Sequence, residues 1–331
     1  MEKSFVVGID IGGQSAKLGV VDARGTVLAQ TVVCSNDVTD VNLFIDRLCT
    51  AVEGLIDQTG LQGQILGIGV GAPNANYYKG TIEHAVNLTF CGKDLVIPFA
   101  DMVTKRIGLP VRLTNDVNAA AIGEMTYGAT RGMKDFIVIA LGTGVGSGIV
   151  VGGQLLYGHD GFAGELGHVT MVRENGRQCG CGKKGCLETY TSATGVARTA
   201  KEMLQKTDRP SVLRSLPLAS ISSRDVAEAA GEGDELAKEI FEFTGNMLGA
   251  ALADFVAFSS PEAIVLFGGL TKAGDLIMDP VVRSMNENVM PIWKNKVRVI
   301  FSQLKESDAA ILGASALAWE LRDSLRVRID E

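Results

Sequence analysis

Two stretches of this chain repeat one arrangement of apolar and polar positions. Residues 5–21 and 136–150 each set a run of β-branched and aliphatic residues before a glycine-rich turn and a second such run after it. Phe5 falls on Phe136 and the register holds at a constant offset of 131 residues. Each stretch predicts two strands joined by a tight turn, and a repeat spaced this widely signals two similar domains rather than a solenoid. Helical periodicity runs through residues 41–58, where Phe44, Ile45, Leu48, Val52, Leu55 and Ile56 share a face, and through 117–127, directly after Asn115-Asp116. It returns over 235–255, with Leu236, Ile240, Leu248, Ala251, Leu252 and Phe255 aligned before Ser260-Pro261 stops the helix, and over 309–321. Further strands are predicted at 65–70, 111–113, 263–267 and 297–301. This alternation predicts an α/β protein with mixed sheets. At 331 residues the chain exceeds what one hydrophobic core usually reaches, so two domains are expected, 1–116 and a larger 117–308. A helix at about 309–325 is expected to cross back onto the first.

Composition changes this picture at a few points. Glycine supplies 40 of 331 residues, about 12 per cent against roughly 7 per cent in ordinary soluble proteins. With 46% apolar residues, 8 prolines and no G-X-Y period, collagen-like and disordered chains are excluded, leaving a globule rich in glycine turns. Residues 136–158 run for 23 positions without a charge, long enough to imitate a membrane span, but seven glycines among β-branched runs read as a buried hairpin. A net charge of −7 and a pI near 5.2 argue against nucleic acid or an anionic membrane as partner. The start of the chain runs straight into the first strand with no leader-like segment, so a cytoplasmic protein is expected.

The glycine turns are candidates for phosphate binding. The 142–148 run, with Gly142, Gly144, Gly146 and Gly148 at every second position, meets neither the Walker A nor the dinucleotide pattern and leads into a strand rather than a helix. A glycine hairpin tip can still bring backbone N–H groups against phosphate oxygens, and Asp10 beside the first tip is placed to hold Mg²⁺ through water. Taken singly, any of these loops, Gly268-Gly269 included, reads equally as a tight turn; the matched pair favours phosphate.

Cys34, Cys49 and Cys91 are scattered and expected to be buried thiols packing as small apolar groups. Cys179, Cys181 and Cys186 differ: three thiols within eight residues, with His168 upstream, form a Cys₃His set suited to structural Zn²⁺. Such a set is closed, which excludes a zinc hydrolase. Glu165 and Glu188 flank it and would join a His168 N–H around a polyhydroxy ligand, although either alone reads equally as a solvated surface charge. Asp116, where a strand meets a helix, is either an N-cap or a general base for a hydroxyl attacking a γ-phosphate, kept ionised by the helix terminus.

These residues resemble the ROK family of sugar kinases and repressors, within the actin-like, hexokinase-type ATPase fold. Asp10-Ile-Gly12-Gly13 resembles the first phosphate motif, the 141–148 run the second, and Leu266-Phe-Gly268-Gly269 the adenosine motif. Ala163-Gly-Glu165-Leu-Gly-His168 and Cys179-x-Cys181-x-x-x-x-Cys186-x-Glu188 resemble the hexose and zinc motifs. The resemblance implies two actin-like (ribonuclease H-like) domains with mixed sheets flanked by helices and a cleft between them that takes ATP. Asp10, Gly12, Gly13, Gln14, Lys17, Gly142, Thr143, Gly144, Gly268 and Gly269 would surround the nucleotide and Mg²⁺. Asn115, Asp116, Glu165, His168 and Glu188 would contact the sugar, with Asp116 as base, and His168, Cys179, Cys181 and Cys186 would hold structural zinc. Domain closure on sugar binding and a homodimer are implied as well. Two departures stand out. Gln14 replaces the usual threonine, and Ala72-Pro73-Asn74 replaces the usual Pro-Gly, leaving Asn74 and Asn87 as alternative sugar contacts. The implied activity is ATP-dependent 6-phosphorylation of an aldohexose, glucose foremost, with N-acetylglucosamine, N-acetylmannosamine or fructose as alternatives. A sugar-responsive repressor is the non-enzymatic alternative; it would need a helix-turn-helix before the first hairpin, where four residues stand.

Overall fold

The computed structural model describes residues 4–91, 95–304 and 308–327, with side chains to residue 322; residues 1–3, at the start used for the localisation reading, lie outside the described residues. The chain begins with β1 (Phe5–Ile11), β2 (Ser15–Asp22), β3 (Val27–Cys34), α1 (Val41–Thr59), β4 (Ile65–Gly71), β5 (Ala75–Asn76), β6 (Thr81–Glu83) and β7 (Val96–Ile97). It continues with α2 (Phe99–Ile107), β8 (Val111–Thr114), α3 (Asp116–Tyr127), β9 (Phe136–Leu141), β10 (Val145–Val151), β11 (Gln154–Leu155), α4 (Glu188–Thr191) and α5 (Ala193–Lys206). The last elements are α6 (Ser223–Gly231), α7 (Glu235–Ser259), β12 (Ala263–Phe267), α8 (Asp275–Asn288), β13 (Arg298–Phe301) and α9 (Ala309–Val327).

The chain divides into two compact units, one of Met1–Gly132, Leu155–Ala163 and Gln303–Glu331, the other of Met133–Gln154 and Gly164–Ser302. Each holds a five-stranded mixed sheet, ordered β3-β2-β1-β4-β8 in the first and β11-β10-β9-β12-β13 in the second. The repeated hairpins are β1–β2 and β9–β10, and in both sheets the first strand of the hairpin continues into parallel pairing.

In the first unit, β1 is central and buried along most of its length, whereas β3 is an edge strand whose residues alternate between half-buried and exposed. Helix α1 covers one side of the core, with Asp40 accepting the Asn42 N–H at its start and Gly60, at φ 66°, closing its end. Phe44 of this helix stacks on Phe90 with ring centroids 4.3 Å apart. Helix α9 lies directly on β1 and β4: a β-carbon at Gly8 or Gly69 would run into the Ile311 or Ala314 carbonyl. Helices α3 and α9 pack as closely, Gly123 meeting Gly313. That contact puts α3 in the first unit, so the chain divides after Gly132 and not after Asp116. Residues 155–163 also join this unit: Asn76 Nδ2 donates to the Asp160 carbonyl at 2.8 Å, Tyr78 Oη donates to the Gly158 carbonyl at 3.0 Å, and the Tyr77 and Tyr157 rings stack.

In the second unit α7 is long and apolar enough to cross a membrane, but 61% of its most apolar window is buried, as for a core helix. Its residues Leu248, Leu252 and Val256 belong to the same core as Ile137, Ile139 and Ile264 of the sheet. Of the scattered thiols, Cys49 and Cys91 are buried as their apolar character predicts, but Cys34 ends the edge strand and is exposed.

Candidate functional site

In the first unit the candidate residues gather at the carboxyl ends of the parallel strands, the usual ligand side of an open α/β sheet. Asp10 pairs with Gly71 across β1 and β4, and Gly71 with Thr114 across β4 and β8, so the three stand in one row. A β-carbon at Gly71 would lie 3.4 Å from Asp116 Cα and 3.7 Å from Asp10 Oδ1, so this glycine keeps the ground between the two acids clear. Desolvation pushes Asp10 up to about 6, the Asp116 charge adds to the rise, and Lys17, its cross-strand partner, opposes it.

The cap of α3 is Asn115, whose Oδ1 accepts from Val117 N at 2.9 Å and Asn118 N at 3.5 Å. Asp116 is therefore the first helical residue rather than the cap. Its side chain keeps contact with solvent, yet desolvation raises its pKa and outweighs the hydrogen bond it accepts from Val117 N. The helix terminus thus moderates the proton affinity of this carboxyl without depressing it, which suits a base that must take up a proton. Asn74, at φ 53°, is exposed and donates from Nδ2 to the His84 carbonyl at 3.3 Å. Asn87 is exposed too, and its carbonyl presses on the Gly12–Gln14 turn, 2.8 Å from where a β-carbon of Gly13 would stand.

In the second unit the Gly142–Gly144 turn is closed by the Gly142 N–H donating to the Gly144 carbonyl at 3.0 Å. Thr194 Oγ1 donates to the Thr143 carbonyl at 2.9 Å. Just past the end of β12, Gly268 has φ 102° and a β-carbon on it would stand 2.8 Å from the Leu141 carbonyl oxygen, so only glycine fits. Gly142, Thr143 and Gly269 line a cavity of about 740 Å³ whose far walls are Ser223, Arg224, Ala227 and Glu228 of α6 and Ala273 and Leu276 beyond β12. Lined by more apolar than polar surface and floored by glycine turns, this cavity has the size and character of a small-molecule site.

Beside it, the cysteine motif closes as its spacing predicts. His168, Cys179, Cys181 and Cys186 offer ligand atoms that all lie within 4.8 Å of one another. Cys181 Sγ is 3.7 Å from Cys186 Sγ and Cys179 Sγ is 3.7 Å from His168 Nδ1. A tetrahedron of Zn–S bonds has edges of about 3.8 Å, so the donor set fits that ion. Burial pushes the Cys179 thiol up to about 12, and a cation is what would hold it as thiolate. His168 Nε2 is 3.9 Å from Glu165 Oε2, so the ring turns one nitrogen to the thiols and the other to the acid. Ser147 Oγ donates to the Gly164 carbonyl and accepts from Leu166 N, which fixes the Glu165 segment on β10.

Glu188 joins these parts. Its Oε2 accepts from Val145 N at 2.9 Å, at the glycine turn, and its Oε1 lies 3.6 Å from Cys179 Sγ. A family model matches residues 6–320, described as the ROK family. The chain belongs to the ROK family. Among ROK relatives, it is 34% identical to the glucokinase of Halalkalibacterium halodurans over 98% of each chain. A crystal structure of a ROK family glucokinase from Streptomyces griseus in complex with glucose and AMPPNP superposes with a TM-score of 0.77, at 33% identity over 96% of this chain and 99% of that one. The family also holds regulators: the xylose repressor of Caldicellulosiruptor bescii is 25% identical over 94% of this chain and 77% of its own. The glucokinase match is with a relative of the same extent, and the fold is that of the actin-like ATPases.

Two contributors in this ROK chain carry no sequence motif. The α6 wall of the cavity lies some 80 residues after the Gly142–Gly144 turn that floors it and some 40 before Gly268-Gly269. Arg177, nearly buried, donates to the Thr189 carbonyl at 2.7 Å and to Glu202 at 2.7 Å while its guanidinium stacks on Tyr190 at 4.6 Å. It ties the cysteine loop to the helices that carry Glu188. Neither residue type nor spacing marks it in the sequence.

Proposed function

We propose that this protein is an ATP-dependent hexokinase that transfers the γ-phosphate of ATP to the 6-hydroxyl of glucose. The observation that carries the reading is Glu188, one carboxylate that accepts from the second glycine turn and also faces the Cys₃His cluster, so that donor and acceptor motifs share a residue. The glucokinase relatives of matching length support it. In this reading Asp116 accepts the hydroxyl proton and, because phosphoryl transfer has a loose transition state, chiefly orients the nucleophile. Burial raises its pKa, which strengthens it as a proton acceptor. Asn115, Glu165, His168 and Glu188 hold ring hydroxyls, with Asn74 or Asn87 as a further contact. The backbone of the turns at Gly12, Gly13, Gly142 and Gly144 and the side chains of Gln14, Lys17 and Thr143 meet the phosphates, and Gly268 and Gly269 border the adenosine.

Asp10 is the residue that would hold Mg²⁺, which neutralises phosphate charge. Cys179, Cys181, Cys186 and His168 would hold Zn²⁺, which supplies rigidity to the sugar-binding loop and no reactive water. We assign the protein to the cytoplasm as a homodimer that binds no nucleic acid and no membrane.

A coupled ADP-release assay over a panel of hexoses tests this reading with wild-type protein and Asp116→Ala. Glucose is expected to turn over fastest, and the variant to lose about 10²–10⁴-fold in kcat. Full activity in the variant removes Asp116 as base, and no turnover of any hexose by the wild type removes the kinase reading. Sedimentation of the purified protein checks the dimer.

A further inference from the structure

The first glycine turn is held from the side by residues that belong to no motif. Ser35, 1% exposed and just past the end of β3, donates from Oγ to the Gly12 carbonyl at 2.7 Å and from its N–H to the Gln14 carbonyl at 3.1 Å. One residue thus engages two carbonyls of a three-residue turn. Thr89 Oγ1 in turn lies 2.8 Å from the Ser35 carbonyl and 2.7 Å from that of Val38, which anchors Ser35 to the core. Next to it, Asn36 Nδ2 donates to Gln14 Oε1 at 2.7 Å. The Gly12 N–H closes the turn on the Ser15 carbonyl, while the N–H groups of Gly13 and Gln14 and the Gln14 side-chain NH₂ donate to nothing among the described residues.

A backbone nest binds an anion only if its carbonyls are turned away, because each exposed carbonyl dipole opposes the negative charge. Ser35 meets that condition for Gly12 and Gln14. An amide side chain offers either an acceptor or a donor, and a bond to its oxygen leaves its nitrogen outward. Asn36 makes that choice for Gln14. We propose that Ser35 and Asn36 are positioning residues that turn the 12–14 loop into a donor array for the polyphosphate of the nucleotide, with the Gln14 amide as a donor in its own right. This rests on the kinase reading. It gives Gln14 a defined task at a position where the resemblance implied threonine, and it makes Asn36 the residue that such a glutamine requires.

The test is calorimetric titration of the full chain with Mg·AMPPNP and, separately, with glucose, for wild type, Ser35→Ala, Ser35→Thr, Asn36→Ala and Gln14→Ala. Loss of one hydrogen bond that orders a charged contact corresponds to about a 10-fold weaker AMPPNP affinity in Ser35→Ala, with about 3-fold losses in Asn36→Ala and Gln14→Ala. Ser35→Thr keeps the hydroxyl and is expected to restore affinity, and the double variant Asn36→Ala/Gln14→Ala is expected to be no weaker than either single one. Glucose affinity should stay constant across the series. AMPPNP affinity unchanged in Ser35→Ala and Asn36→Ala overturns the proposal, as does an equal loss for nucleotide and glucose, which is the mark of general loosening. Should Ser35→Ala fail to fold, the exposed Asn36 and Gln14 pair still decides through its double-variant cycle. A wild type that binds neither probe sinks the kinase reading itself, a result distinct from a wild type that binds both and variants that do likewise.

Discussion

Gly13 and Gly144 stand at equivalent positions of the two hairpins, 131 residues apart, and a β-carbon at either would collide with a neighbour. The neighbours differ. Above Gly13 is a backbone carbonyl, that of Asn87; against Gly144 is the side-chain carboxylate of Glu188. The first turn is braced by a hydroxyl and an amide from residues just past the strand that follows the hairpin, the second by an acid that also faces the cysteine cluster. The repeat therefore copies a scaffold without copying its chemistry. One hairpin is braced by residues that belong to no motif, while the other is wired to the cysteine motif, and loss of function in the two should take different forms.

The sharpest way to break this contrast is Gly144→Ala. Displacing Glu188 by as little as 1 Å is expected to cost about 10²-fold in kcat/KM for glucose. Gly13→Ala must instead move a backbone segment, so its effect should fall on nucleotide KM and thermal stability. Identical kinetic signatures for the two variants would show that the hairpins work alike. A smaller effect is expected on removing one metal ligand. Cys181→Ser should lower bound zinc, measured by elemental analysis, and weaken glucose binding by about 10–100-fold while AMPPNP affinity holds within a few fold.

Arg177→Met probes the tie between the cysteine loop and Glu188. Cutting its charge-assisted bonds should lower stability by about 2–3 kcal/mol in urea unfolding and raise KM for glucose more than KM for ATP. The gentlest test is pH. Asp10 is raised to about 6, so between the ordinary carboxylate range and pH 6 the folded protein holds a proton that the unfolded chain has released, and the stability linked to that proton is lost as pH rises through this window. The stability of Asp10→Asn relative to wild type should therefore increase by about 1–3 kcal/mol from pH 4 to 6.5, with no counterpart in the second hairpin. A flat difference would mean that burial does not raise the proton affinity of Asp10 in the folded protein.

Much of this was legible in the chain because the relevant signals are local. The β1–β2 and β9–β10 hairpins announce themselves by β-branched runs that break at glycine, and the Cys₃His cluster by donor side chains gathered within 168–186. Other features depend on distant contacts. Strand β3 alternates half-buried and exposed positions while its Val27, Leu28, Val32 and Val33 fall on both faces, so no apolar alternation shows in its sequence, and β5, β6 and β7 are two or three residues long, too short for any period to show. Asn115 and Asp116 are adjacent and both good caps, so only the folded backbone decides that Asn115 takes the N–H groups and leaves Asp116 inside the helix. Ser35, Arg177 and the α6 wall act on partners far away in sequence or through bonds that any serine or arginine could make.

The course of the chain through the first unit carries a consequence for synthesis. Its sheet is built from residues made before the second unit, but the helix lying on Gly8 and Gly69 belongs to a segment that follows the whole of that unit. The strands β1 and β4 must wait with one apolar face open for the length of some 240 further residues. The second unit is interrupted only by 155–163 and can mature during that interval. A nascent chain of this protein should accordingly present its first sheet to chaperones until α9 emerges, and a stop placed before α9 should yield aggregates rather than a half-active enzyme.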